Sequence, residues 1–452
     1  MNAGLLLDLY ELTMAQSYFV YKAKTRATFD LFVRALPRQR SYLIACGLAD
    51  VLDYIRDLRF RQDDLRYLRS KKLFSAEFLK YLERFRFRGD IWAMPEGTVF
   101  FPPEPVIRVT GSIIEAQLIE SFLLSTLNLQ TMIASKASRV VNASEGRGVY
   151  DFSLRRTQGT EAAIKVARSS YIAGFAGTSN VLASKLYGIP ASGTMAHSFV
   201  MSFKQELASF LAYSSIFPAR TILLVDTYDT GKGIANAIAV GLYLKEQGHK
   251  LLGIRLDSGD IAYWSKLARR MLDKAGLKYV KIFASGNLDE AAIQELLRKG
   301  APVDNFGVGT KMGVSVDAPF LDMIYKISEV TDEEGNFLPT MKLSEGKITY
   351  PGRKQVFRVQ DKTGRFVKDI LGLEAEKLAG KRLLVKVVDK GTIVSEPSCP
   401  QEIRRSVQKG LLRFALAMRQ PLSGYRYPVE VSRGLASLRS SLSRQLAKRQ
   451  NG

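Results

Sequence analysis

TILLVDTYDTGKGIANAIAVGLYLKEQGHKLLGIRLDSGD, residues 221–260, is the stretch whose reading decides the fold. An apolar, β-branched run ends in polar and glycine residues. A helical pattern of apolar positions follows, and then a second apolar run ends the same way. The order continues to residue 313, predicting strands at 221–226, 251–257, 279–286 and 303–309 and helices at 231–247, 260–275 and 288–299. Strands alternating with helices imply right-handed crossovers and a parallel sheet. In such folds ligands bind at the carboxyl ends of the strands. The loops there hold Asp226, Asp229, Arg255, Asp257, Ser285, Asn287, Gly307, Gly309 and Thr310, a set suited to a polyhydroxylated, phosphorylated ligand.

Upstream, SRVVNAS (138–144) and YDFSLRR (150–156) read as strands, followed by helices near 161–173 and 180–186 and an approach to a strand at 191–196. The expected fold class is α/β: an irregular TIM-like barrel over 136–330, packed against an N-terminal α/β domain over 1–135, with a C-terminal segment over 331–452. In the first of these flanking regions, 51–87 reads as charged helix, 91–111 as short edge strands cut by prolines, and 114–129 as helix. In the last, 341–367 reads as hairpins, joined through EPSCP (396–400) to a basic helical end.

A chain of 452 residues exceeds one small core, so two or three domains are expected. The N-terminal MNAGLLLDLYELTMAQ has neither a basic leader nor a small-residue cleavage site, and no apolar run of about eighteen residues could span a bilayer. A cytoplasmic protein with no membrane partner is the expectation. Cys46 and Cys399 lie far apart, and with only His197 and His249 beside them they make no structural zinc site or disulfide framework. The net charge of +22 raises nucleic acid as a partner. Residues 402–449 carry eleven Lys or Arg against Glu402 and Glu430, but interleaved with Leu435, Leu438, Leu442 and Leu446 at helical spacing. That pattern is a solvated basic helix face, and no specific nucleic acid is expected.

Four groups of residues carry chemistry. His197 follows the Gly193-Thr194 turn at a predicted strand end, where imidazole serves as acid, base or nucleophile unless it is merely structural. Asp226 and Asp229 can hold magnesium or ribose hydroxyls, although either could instead cap the next helix. Arg255 and Asp257 share one face of a strand, as a ligand-binding pair or a structural salt bridge, and Asp260 fits an N-cap. Two glycine-bearing loops, Ser285-Gly286-Asn287 and Gly307-Val308-Gly309-Thr310, bring backbone amides close to a phosphate.

In chain order, LLLDLYELTMAQSY, EGTVFFPPEPVIRVTG, GTMAHSF, LLVDTYDTGKG, GIRLDSGD, FASGNLDE, FGVGTKMG and MKLSEGKITYPGRKQVFR make the sequence resemble the nicotinate phosphoribosyltransferases over nearly its whole length. The resemblance implies a homodimer with shared active sites. It also implies formation of nicotinate mononucleotide and diphosphate from nicotinate and 5-phosphoribosyl 1-diphosphate in NAD salvage, with coupled ATP hydrolysis and Mg2+. It puts the phosphohistidine at His197. It puts nicotinate contacts at Tyr10 from the partner subunit, Thr194 and Arg255, the ribosyl phosphate at Thr310, and the pyridine ring and diphosphate near Arg155; Arg156 is less clearly placed. Asp226 and Asp257 then suit the ribose as carboxylates that stabilise an oxocarbenium-like transition state, and Arg155 with magnesium suits the departing diphosphate. A nicotinamide-using relative carries an acidic residue resembling position 179, where this chain has Ser179; a carboxylate there would repel nicotinate, so serine favours the acid substrate.

Overall fold

The structure, a computed structural model, describes residues 4–343, 349–420 and 423–450. The chain divides into two compact units. One contains Met1–Met132, Phe320–Cys399 and Ser406–Gly452, the other Ile133–Pro319 and Pro400–Arg405.

The second unit is built on a parallel sheet in the order Gly177–Thr178, Gly148–Asp151, Asn305–Val308, Lys281–Ala284, Gly253–Leu256, Ile222–Leu224. Every neighbouring pair is parallel. The four strands and three helices expected between residues 221 and 309 all form; the strands and the last two helices are a little shorter than expected, and the first helix, Thr230–Glu246, keeps its length one residue earlier. Ile254, Leu256 and Ile282 are wholly buried on one face of the sheet, in an apolar cluster with Ile234 and Ala237 of helix Thr230–Glu246 and Ala268 and Leu272 of helix Ile261–Lys274. Each such side chain contributes about 1.5–3 kcal/mol by leaving water.

The sheet is a TIM-like half-barrel, open at its two outer strands, and its departures from the sequence reading have physical causes. SRVVNAS (138–144) is the last part of a long helix, Glu120–Ala143, with Val140 packed wholly inside. Its β-branched pair favoured a strand, but tertiary burial along the helix outweighs that weak preference. Residues 191–196 give a single bridge, Thr178 to Ala191, in place of a strand.

Asp residues start the three helices that follow the sheet's last turns. Asp229 accepts from Lys232 N at 2.7 Å, Asp260 from Tyr263 N at 3.0 Å and Asp289 from Ala292 N at 2.9 Å. Each satisfies an otherwise unpaired first-turn N–H, contributing about 1 kcal/mol. The first acid of each DxxD pair, Asp226 or Asp257, is thereby left at the strand end.

The first unit carries an antiparallel seven-stranded sheet in the order Phe337–Pro339, Met323–Thr331, Arg26–Val33, Pro105–Ser112, Asp90–Ala93, Val385–Asp389, Thr392–Ile393. Three expectations change here. Pro105–Ser112 is an interior strand, because Pro105 stands at its first residue and costs no interior ladder bond. Residues 323–331 leave the barrel region and pair with Arg26–Val33. The segment 331–452 is not a separate domain, since Val385–Asp389 joins Asp90–Ala93 in this sheet. Sequence pattern marks which residues are extended; it does not say which strands find one another.

The hairpin expected within 341–367 is Lys354–Gln360 paired with Phe366–Leu373. Part of MKLSEGKITYPGRKQVFR, residues 344–348, lies outside the described residues. The basic end forms Pro400–Leu411 and Arg433–Gln450, the latter burying Leu435 and exposing Arg433, Arg444 and Lys448. Among the described residues no helix is long and apolar enough to cross a membrane.

Candidate active site

Three adjacent strand ends are tied together by side chains. Asp226 Oδ2 accepts from the Asp257 backbone N–H at 2.8 Å and from Ser258 Oγ at 2.6 Å. Asp257 Oδ1 in turn accepts from the Ser285 hydroxyl. Gly286, at φ +89°, sits where a Cβ would overlap the Asp257 carbonyl group, so only glycine lets the third loop close on the second. Asp226 is 8% exposed, and its Oδ1 is buried without a hydrogen-bond partner.

Two cationic or potentially cationic groups face this chain of acids. Arg255 Nη1 donates to Thr194 Oγ1 at 2.6 Å, and its Nη2 lies 4.0 Å from Asp257 Oδ1. Its Nε is buried and unpartnered. Burial lowers the Arg255 pKa, opposed by the fields of Asp257 and Asp226, while Arg155 adds to the lowering. His197 begins the short helix His197–Met201 and has Nδ1 3.1 Å from Thr227 Oγ1 and Nε2 3.8 Å from Asp257 Oδ2. The second distance exceeds a hydrogen bond, so Nε2 has no hydrogen-bond partner among the described residues. Thr194, His197, Asp226, Arg255, Asp257 and Ser285 therefore form one constellation.

The remaining strand ends supply loops. Asn287 takes a left-handed φ of 53° directly after Gly286. A Cβ on Gly307 would run into the Phe152 ring, which brings the Asp151–Arg156 turn against the Gly307–Thr310 loop. Thr310 is exposed at the start of the short helix Thr310–Gly313. Arg155 and Arg156 are exposed on the 3-10 turn Leu154–Arg156, and neither has an ion-pair partner among the described residues. Tyr10 belongs to the other unit, 45% exposed on the first turn of helix Leu9–Tyr21.

A family model described as the nicotinate phosphoribosyltransferase N-terminal domain matches residues 5–128, and one described as the nicotinate phosphoribosyltransferase family matches residues 148–337. The nicotinate phosphoribosyltransferase pncB2 of Mycobacterium tuberculosis is 48% identical over 433 residues, covering 95% of this chain and 91% of that protein. The chain belongs to the nicotinate phosphoribosyltransferase family. The Bacillus subtilis nicotinate phosphoribosyltransferase is 39% identical, over 83% of this chain and 77% of that one. The crystal structure of human nicotinic acid phosphoribosyltransferase superposes with a TM-score of 0.86 at 28% identity, over 96% of this chain and 99% of that one.

Within this member of the family, three polar residues near the site escaped the sequence reading. Asp151 is buried and accepts from Ser153 N at 2.9 Å, Ser153 Oγ at 2.5 Å and Thr178 Oγ1 at 2.7 Å, fixing the turn that bears Arg155. Burial raises its pKa, against those three bonds. The D-x-S spacing of an Asx turn was the available signal. Thr227, which holds His197, lies inside the quoted LLVDTYD run. Glu206 has a buried, unpartnered Oε1, and its pKa is raised by burial and by Asp229 and Asp226; nothing in its local sequence marks it. The Ser179 N–H donates to the Asp151 carbonyl oxygen at 2.8 Å, which places position 179 beside this same turn.

The expected acid pair for magnesium is divided by this geometry. Asp229 spends Oδ1 on its helix cap, whereas Asp226 keeps an unpaired oxygen. Among the described residues no group of three or more His, Cys, Asp or Glu side chains forms a ready metal cluster.

Proposed function

We propose that this enzyme transfers the phosphoribosyl group of 5-phosphoribosyl 1-diphosphate to nicotinate, giving nicotinate mononucleotide and diphosphate, with ATP hydrolysis coupled through His197. The observation that carries this reading is the position of Asp257, whose carboxylate faces the Ser285 hydroxyl, the Arg255 guanidinium and the His197 ring at the ends of parallel strands.

Breaking the anomeric C–O bond leaves positive charge on the ribose and negative charge on the departing diphosphate. Asp257, held by Asp226 and Ser285, stabilises the first; Arg155, which has no carboxylate partner among the described residues, stabilises the second. The pyridine nitrogen attacks the opposite face with its own lone pair, so orientation matters more than a general base. Arg255, steadied by Thr194, holds the nicotinate carboxylate through paired N–H bonds. The amides of Gly286 and Asn287 and of Gly309 and Thr310, beyond the strand ends, with the Thr310 hydroxyl, receive the ribosyl phosphate.

Thr227 engages Nδ1 of His197 and leaves the Nε2 lone pair to attack the γ-phosphorus of ATP; the N–P bond forms as the P–O bond to the leaving ADP breaks, the proton stays on Nδ1, and Asp257 stabilises the positive charge the ring then carries. Magnesium fits the unpaired Asp226 Oδ1, with the second oxygen of Asp229 as a further ligand; a hydrated ion with one or two carboxylates is its usual state when it accompanies a phosphate chain. Bound there it would neutralise charge on the diphosphate.

The working unit we propose is a homodimer in which Tyr10 serves the neighbouring subunit's site. Supporting this, helix Leu9–Tyr21 exposes Leu9 and Tyr10 on its first turn and Val20 and Tyr21 at its last. The test of the activity is product analysis with nicotinate or nicotinamide as acceptor. Nicotinate mononucleotide should form and be stimulated by ATP; comparable turnover of nicotinamide would contradict the assignment.

A further inference from the structure

A second cluster of cations lies in the first unit. Residues 84–88 read RFRFR, and the alternation buries Phe85 and Phe87 while turning Arg84, Arg86 and Arg88 outward. Gly391, at φ +81° in the tight turn after Val385–Asp389, sits where a Cβ would overlap the Phe87 carbonyl, and its N–H donates to Gly89 O at 2.8 Å. This turn and the end of helix Leu48–Asp57 border a cavity of about 350 Å³, open to solvent, lined by Arg56, Arg59 and Arg86 and by Ile55, Phe87 and Ile393.

The charges in this cavity do not balance. Arg56 is engaged by Asp53 at 2.7 Å and by Glu396 at 3.0 Å, so the one carboxylate of the lining is already used. Arg59 and Arg86 donate only to the backbone carbonyls of Leu58 and Phe85, and neither has an acidic partner among the described residues. Desolvation, and then the fields of Arg59 and Arg88, lower the pKa of Arg86. Like charges held together without a counter-charge cost stability, and a bound anion would remove that cost.

We propose that this cavity is a binding site for an oligophosphate group, separate from the strand-end site and independent of the reaction assigned to it. Guanidinium groups bind phosphate oxygens through paired, charge-assisted bonds, and the two without a carboxylate, Arg59 and Arg86, with the already paired Arg56 at the rim, match linked phosphates better than a single carboxylate. The source of that chain is either inorganic oligophosphate or a nucleotide, and the same experiment separates them.

Calorimetric titration of the full chain with tripolyphosphate at low ionic strength is the test. Wild type should bind one more equivalent than the double variant Arg59→Gln with Arg86→Gln, with affinity falling as salt is added. Ile393→Glu, which leaves both arginines and places a carboxylate in the cavity, should remove the same equivalent. Both variants should keep wild-type turnover, and the double variant should melt no lower than wild type without ligand, because it relieves repulsion. Displacement of the tripolyphosphate by ATP assigns the site to nucleotides, and its retention assigns it to inorganic oligophosphate. The same stoichiometry and affinity in wild type and both variants would overturn the proposal.

Discussion

The carboxylate of Asp226, at the end of one strand, accepts the backbone N–H of Asp257, at the end of the next, at 2.8 Å. One acid therefore fixes the main chain that aims the other. Asp226 is almost fully buried, and its Oδ2 serves to place Asp257 while its unpaired Oδ1 is the oxygen proposed for magnesium.

Asp226→Asn keeps the shape and one acceptor oxygen but loses the charge. A buried hydrogen bond to a charged group contributes about 1.5–3 kcal/mol, so kcat/KM should fall by roughly ten- to a hundredfold while the thermal midpoint moves little. Steady-state kinetics beside a melting curve checks this. Unchanged kinetics would show that the turn holds Asp257 without it.

Arg255→Lys retains the charge and loses the fork. An ammonium cannot make the Thr194 bond and a paired carboxylate contact together, so nicotinate affinity should drop by roughly tenfold or more, with kcat less affected. Titration of nicotinate at saturating phosphoribosyl diphosphate separates the two. Wild-type nicotinate affinity would remove Arg255 from the role of carboxylate clamp.

Glu11 governs a pH effect on stability. Burial, against two bonds from Ser121, lifts its pKa to about 7 from an ordinary value near 4.5. The folded chain therefore holds a proton that the unfolded chain releases, and stability declines as pH rises from about 4.5 through about 7. Glu115 and Glu120 shift in the same direction. Melting curves from pH 5 to 8 should show a smaller decline for Glu11→Gln than for wild type; parallel declines would exclude Glu11 as a contributor.

Tyr10→Ala should reduce turnover although Tyr10 lies outside the parallel-sheet unit. Mixing Tyr10→Ala with His197→Ala subunits should restore one intact site per heterodimer. Activity no greater than the sum of the parents would count against shared sites.

Much of this site was legible because polar residues at strand ends interrupt apolar runs, and those interruptions are visible one residue at a time. Asp226, Arg255, Asp257 and Ser285 stand out in that way. Asp229 and Asp226 look alike in sequence; only the geometry gives one the helix cap and the other the strand end. Helix Glu120–Ala143 was partly read as strand because Val140 and Val141 carry a β preference that burial overrides. The pairing of Val385–Asp389 with Asp90–Ala93 is non-local and leaves no local trace. The same holds for Arg59 and Arg86, unremarkable apart and conspicuous only where the fold brings them to one cavity.

The central claim is that His197 couples ATP to transfer at the site organised by Asp257, and the most direct measurement is the KM for 5-phosphoribosyl 1-diphosphate with and without ATP, in wild type and His197→Ala. A phosphoryl group on Nε2 would add charge and acceptor oxygens beside the loops that hold that substrate. Wild type should show a lower KM and an acid-labile phosphate when ATP is present. His197→Ala should show neither, while retaining slow, ATP-independent transfer at high substrate concentration. Full ATP stimulation in His197→Ala, or a label mapping to His249, would contradict the account.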